Sequence, residues 1–92
     1  MKTNDYEKAA EILKTLGHPV RLKIVEALMR NESCVKNIWT ALDLPQATVS
    51  QHLALLKNKG ILSSKRDGVS VCYTLTDKTV IKLLKVIQTN YS

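Results

Sequence analysis

Ala47, Gln51 and Ala54 recur at helical spacing between Pro45 and Gly60, with Gln46, Thr48 and Ser50 beside them. Val49, Leu53 and Leu56 repeat at the same period and mark the opposite, inward stripe. A helix face made only for water usually carries Glu and Lys; this one carries Ala, Thr, Ser and Gln. Such side chains are short enough to admit the backbone to base edges, and they can donate or accept there. The chemistry on offer is hydrogen bonding in a groove rather than bond breaking. The plainer reading is a solvated helix that is merely short of charge, and the segment that follows argues against it.

The elements that would hold this face can be read on both sides of it. Val35, Ile38, Trp39 and Leu42 form one apolar stripe over two helical turns, with Ser33 placed to cap the first of them. Asp43-Leu44-Pro45 breaks that helix, and proline suits the start of the next. Gly60 closes the second helix. A ribbon then runs from about Leu62 to Leu75, where Val69, Val71, Tyr73 and Leu75 alternate with Ser70, Cys72 and Thr74. Asp67-Gly68 is its turn signal. Lys57, Lys59, Lys65 and Arg66 fall together with no acidic residue among them, a composition suited to phosphate contacts. A charged strand edge that merely discourages pairing would look similar. Helix, tight turn, helix and basic ribbon are the parts of a winged helix-turn-helix, and the partner they imply is double-stranded DNA.

Ninety-two residues allow one domain, residues 1–92, with a small core. The net charge of +6 favours an acidic polymer, although a membrane surface would also attract it. No apolar run reaches the length of a membrane span, and the N-terminal segment has no signal-peptide core. Two cysteines, Cys34 and Cys72, do not make a disulfide framework, so a cytoplasmic protein is expected. An enzyme would need a nucleophile with a base, a metal cluster or a glycine-rich phosphate loop, and none can be assembled from these residues. No cofactor is expected.

Flanking helices must supply the rest of the core. Tyr6, Ala9, Ala10, Leu13 and Leu16 mark a first helix ended by Gly17, and Pro19 starts a second with Leu22, Val25, Leu28 and Met29 inward. The last helix starts near Thr76 and carries Val80, Ile81, Leu83, Leu84, Val86 and Ile87 around more than half its circumference. One domain covers only about 100° of such a helix. The surplus predicts a homodimer built on the first and last helices through Tyr6, Leu13, Val80, Ile81, Leu84 and Ile87. The fold expected is mainly α with a small antiparallel hairpin, in the order α-α-α-α-β-β-α.

LGHPVRLKIVEAL, then CVKNIWTALDLPQATVSQHLALLKNKGIL and RDGVSVCYTLTD, resemble the ArsR/SmtB family of bacterial transcriptional repressors, from about Glu11 to Ile87. The TVSQHL segment is the most specific part of the likeness. The resemblance implies a homodimeric repressor that binds an inverted-repeat operator and releases it when an inducer arrives. It also implies DNA contacts at Gln46, Thr48, Ser50, Gln51 and His52, with the hairpin from Lys65 to Ser70 as the wing.

The sensing residues of the best-known members do not carry over. Where arsenic, cadmium and lead sensors read ELCVCDL this chain reads ESCVKNI, keeping Cys34 and replacing the second thiol with Lys36. The zinc and nickel members use paired Asp and His ligands on the last helix; Asp77 is present here, but no His, Glu or Cys follows it. Persulfide sensors pair cysteines on the second and last helices, and Cys34 and Cys72 stand elsewhere. No metal site is therefore expected, and His18 reads as a cap or packing residue at the start of the second helix. Cys34 remains as a chemical handle, because a helix N-terminus and Lys36 both favour thiolate over thiol. The competing view is that it is a remnant of a family metal site. A winged helix used to bind another protein, without specific DNA binding, is the alternative for the whole chain.

Overall fold

Proline at 19 and left-handed turns at 43, 60 and 68 punctuate the chain. In the computed structural model, which describes residues 1–31 and 33–91, the elements between them are α1 (Thr3–Leu16), α2 (Pro19–Arg30), β1 (Ser33–Cys34), α3 (Val35–Leu42), α4 (Gln46–Asn58), β2 (Leu62–Asp67), β3 (Ser70–Leu75) and α5 (Lys78–Tyr91). The order expected from the sequence holds, with a two-residue strand added before α3. The three strands form one antiparallel sheet in the order β1-β3-β2.

Each boundary has a local cause. Pro19 occupies the first turn of α2, and His18 caps it by accepting the Val20 N–H at Nδ1. Cys34, rather than the expected Ser33, stands at the N-cap of α3; Ser33 lies one residue earlier, in the sheet opposite Tyr73. Asp43 takes the left-handed conformation that ends α3, a position Asp tolerates better than most residues. At the end of α4, Ile61 N–H donates to the Leu56 carbonyl and Gly60 N–H to that of Lys57. This is a Schellman closure, and Gly60 supplies its positive φ of 78°. Asp77 caps α5 by accepting the Val80 N–H at 2.9 Å, one residue later than the sequence suggested.

The hairpin turn also shifts by one position. Asp67 pairs with Ser70, so the two loop residues are Gly68 and Val69, and Gly68 carries the positive φ that such loops demand. Val69 was expected on the inward face of the strand; it is 97% exposed at the tip instead.

Ile24, Val25 and Leu28 from α2, Ile38 from α3 and Val49, Leu53 and Leu56 from α4 meet in one core. Leu62 and Leu75 close it from the sheet, and Val80 and Leu84 from α5. Each such side chain contributes roughly 1.5–3 kcal/mol by leaving water. The inward stripes of α3 and α4 are those expected, so the uncharged face of α4 is left outward.

Candidate nucleic-acid interface

Three buried side chains, Val49, Leu53 and Leu56, fix the rotation of α4 about its axis. Gln46, Ala47, Gln51 and Ala54 are consequently exposed, with Thr48 and Ser50 half-buried on the flanks. Lys57 is exposed in the last turn. Lys65 and Arg66 are exposed on β2 toward the hairpin tip, and Ser70 is half-buried at the start of β3. Core packing between α4 and the sheet, through Leu56, Ile61 and Leu62, holds the wing beside the helix. The sequence-derived contact residues thus divide between one helix face and the adjoining wing.

His52 differs from the others. It is half-buried, and its Nδ1 accepts from Nε of Arg21 at 3.2 Å. The His18 ring lies 4.6 Å away, centroid to centroid, at a tilt of 55°. Burial lowers the His52 pKa, and the charges of His18 and Arg21 push in the same direction. A bond accepted at Nδ1 places the neutral ring's proton on Nε2. Arg21 also donates from Nη1 to the Thr15 carbonyl, so one guanidinium joins the end of α1 to α2 and α4. Sequence reasoning missed Arg21. Its signal would have been a cation in the first turn of α2 with no acidic residue one turn away. A surface ion pair between Lys59 and Glu11 adds a second tie from α1 to the end of α4.

The two cysteines are not free thiols. Cys34 and Cys72 are joined by a disulfide, contrary to the expectation that they stay unpaired. The physical reason is β1, too short to read from the sequence, which puts Cys34 directly opposite Cys72. Cys72 is 1% exposed, enclosed rather than on a solvated face of its strand. Among the described residues, no group of three His, Cys, Asp or Glu side chains is placed to hold a metal ion.

The residues expected at a dimer contact part into two groups. Val80 and Leu84 are spent in the chain's own core, and Ile81 packs half-buried against it. Tyr6 and Leu13 on α1 and Ile87 on α5 are exposed, as are Val86 and Tyr91 on α5. Leu13 is 59% exposed although it sits in a regular helix.

A recognition-type helix set beside a basic β-wing defines a DNA-binding transcription regulator of the winged helix-turn-helix class. Residues 18–64 match the bacterial regulatory protein family arsR. Transcriptional repressor PagR of Bacillus anthracis is 44% identical over 86 residues, covering 89% of this chain and 86% of that protein. The chain belongs to the arsR family. Among solved structures, reduced HlyU from Vibrio cholerae superposes with a TM-score of 0.91 at 31% identity, covering 96% of this chain and 93% of that one. A homodimeric winged helix-turn-helix DNA-binding domain from Mycobacterium bovis gives 0.83 at 26% identity, covering 97% and 85%. Family and relatives are regulators of transcription, not enzymes.

Proposed function

We propose that this protein is a repressor that binds an inverted-repeat operator as a homodimer in the bacterial cytoplasm, at the nucleoid when bound. The observation that carries the reading is the uncharged outer face of α4, held beside an exposed basic wing. Gln46, Ala47, Thr48, Ser50 and Gln51 face the base edges of the major groove in this reading, while Lys57, Lys65, Arg66 and Ser70 meet the backbone. His52 contributes from the edge of the helix, through Nε2, since Nδ1 is already engaged. Relatives named as repressors support the sign of regulation.

The whole of residues 1–92 acts as one DNA-binding domain that dimerises through α1 and α5. Tyr6 and Leu13 with Ile87, Val86 and Tyr91 supply an apolar surface for this contact, and the homodimeric M. bovis domain supports it. Two-fold symmetry then sets two α4 helices about one DNA turn apart. In this reading the signal that the repressor senses reaches it through thiol chemistry at Cys34 rather than through a bound metal.

The experiment is titration of the purified protein against the duplex immediately upstream of its coding sequence, with a scrambled duplex of equal length beside it. Selective binding whose log affinity falls linearly with log salt is the expected result. Equal affinity for both duplexes would remove the operator, and no affinity for either would favour a protein-binding role for the wing.

A further inference from the structure

We infer that Cys34 and Cys72 form a reversible dithiol–disulfide site, oxidised by a hydroperoxide, whose closure locks the wing to the helix-turn-helix. Tighter DNA binding by the oxidised form is its output. That output rests on the repressor reading above; the chemistry of the site does not.

The placement of the two residues carries the inference. Cys34 ends β1 and begins α3, the first helix of the helix-turn-helix. Cys72 lies within β3, opposite Cys34 on one side and opposite Lys65 of the wing on the other. A single line across the sheet therefore runs from the start of α3, through the disulfide, to a basic residue of the wing. Without the bond, β1 is joined to β3 by only two residue pairs, Ser33 with Tyr73 and Cys34 with Cys72. So short a ladder at a sheet edge opens easily. The covalent link converts a fraying edge into a fixed one.

Burial assigns the order of events. Cys34 is half-exposed at a helix N-terminus, with Lys36 two residues on, whereas Cys72 is enclosed. The Cys34 thiolate attacks one peroxide oxygen; the O–O bond breaks and the leaving oxygen is protonated to water or an alcohol. Cys34 is then a sulfenic acid. The Cys72 sulfur attacks the Cys34 sulfur, the S–S bond forms, and hydroxide leaves to become water with the proton from Cys72. Two electrons have passed from the thiols to the peroxide. A low-molecular-weight thiol reverses the change through a mixed disulfide, ending as its own disulfide while both protein thiols return. Bonds of this kind in a reducing compartment are transient and regulatory rather than structural.

The sign of the effect follows from the fold with the bond closed. Core, recognition helix and wing are all in place in that state. Closure thus leaves the binding-competent arrangement intact and removes states in which β1 has peeled away. Apparent affinity rises by the inverse of the competent fraction: were the unlocked β1 edge closed roughly one-third of the time, locking it would gain about threefold.

The test starts with reduced wild-type protein treated with hydrogen peroxide. Both cysteines should become resistant to alkylation within one chain, and amide exchange at Ser33, Cys34, Val71 and Tyr73 should slow. Affinity for the upstream duplex should rise about threefold and fall again with dithiothreitol. Neither Cys34→Ser nor Cys72→Ser should show any of these changes; Cys34 is the safer variant, being only half-buried. Continued alkylation at both sites, a bond between chains, or unchanged exchange on oxidation would overturn the lock. Weaker or equal DNA binding by the oxidised form would overturn the output. If neither redox form binds either duplex, the repressor reading and the output fail together, and the exchange rates alone decide the lock.

Discussion

Arg21 holds His52: its Nε donates to the ring's Nδ1, so the start of α2 grips the edge of the recognition helix. The bond requires an unprotonated Nδ1. His18 on the same side adds a second ring, and no carboxylate is among the groups that shift His52.

Stability should therefore fall in mild acid. The folded-state pKa of His52 lies below its usual 6.5, so the unfolded chain takes up that proton first. The contribution of the neutral, Arg21-bonded ring is fully present above that value. It is lost as pH drops from it toward the folded-state pKa, and levels off below. Urea unfolding from about pH 7.5 to about pH 5 should show the decline, and His52→Gln should flatten it. An unchanged slope in that variant would assign the decline to other groups.

What the sequence disclosed and what it hid divide along physical lines. The stripes of α3 and α4 were legible because each is narrow and buried on one side, so Val49, Leu53 and Leu56 alone orient the recognition face. α5 was only half legible. Six apolar residues around most of a wheel announce two partners, but a wheel cannot say which arc meets the chain's own core, and Val80 and Leu84 went there. The Cys34–Cys72 bond was hidden because it depends on β1, whose two residues show no periodicity. Arg21 was hidden for a related reason: its partner His52 is distant in sequence and unlike it in type.

Division of the α5 residues gives opposite outcomes for two similar changes. Leu84 is 2% exposed within the core, so Leu84→Asp buries a carboxylate with no partner and should unfold the chain. Ile87 is 40% exposed, and Ile87→Asp, alone or with Leu13→Asp, should leave a folded monomer. Circular dichroism and sedimentation separate the cases. A folded Ile87→Asp dimer would place the contact elsewhere.

Asp77 offers a milder probe of how α5 is anchored. Its carboxylate accepts the Val80 N–H, and removing it leaves that donor without its cap. Asp77→Ala should cost about 1 kcal/mol of stability, and Asp77→Asn much less. Loss of equal size in both variants, measured by denaturant midpoint, would mean that charge rather than capping is what matters there.

The residues proposed to face DNA should fail in two distinguishable ways. Arg66 is exposed near the wing tip, away from the outward face of α4, where its charge can meet a phosphate. Arg66→Ala should weaken operator and scrambled duplex alike, and lower the salt slope by about one unit if one phosphate is released. Gln51 stands exposed on the uncharged face of α4, where its amide can both donate and accept. Gln51→Ala should leave the salt slope unchanged and reduce discrimination by about 1–3 kcal/mol at one base position in each half-site. The contrast matters more than either number, since a general loss of folding would move both duplexes and both variants together. Affinities measured across a salt series on both duplexes decide it: equal losses on the two duplexes for Gln51→Ala would take that residue off the reading face and leave Thr48 and Ser50 to do the discrimination.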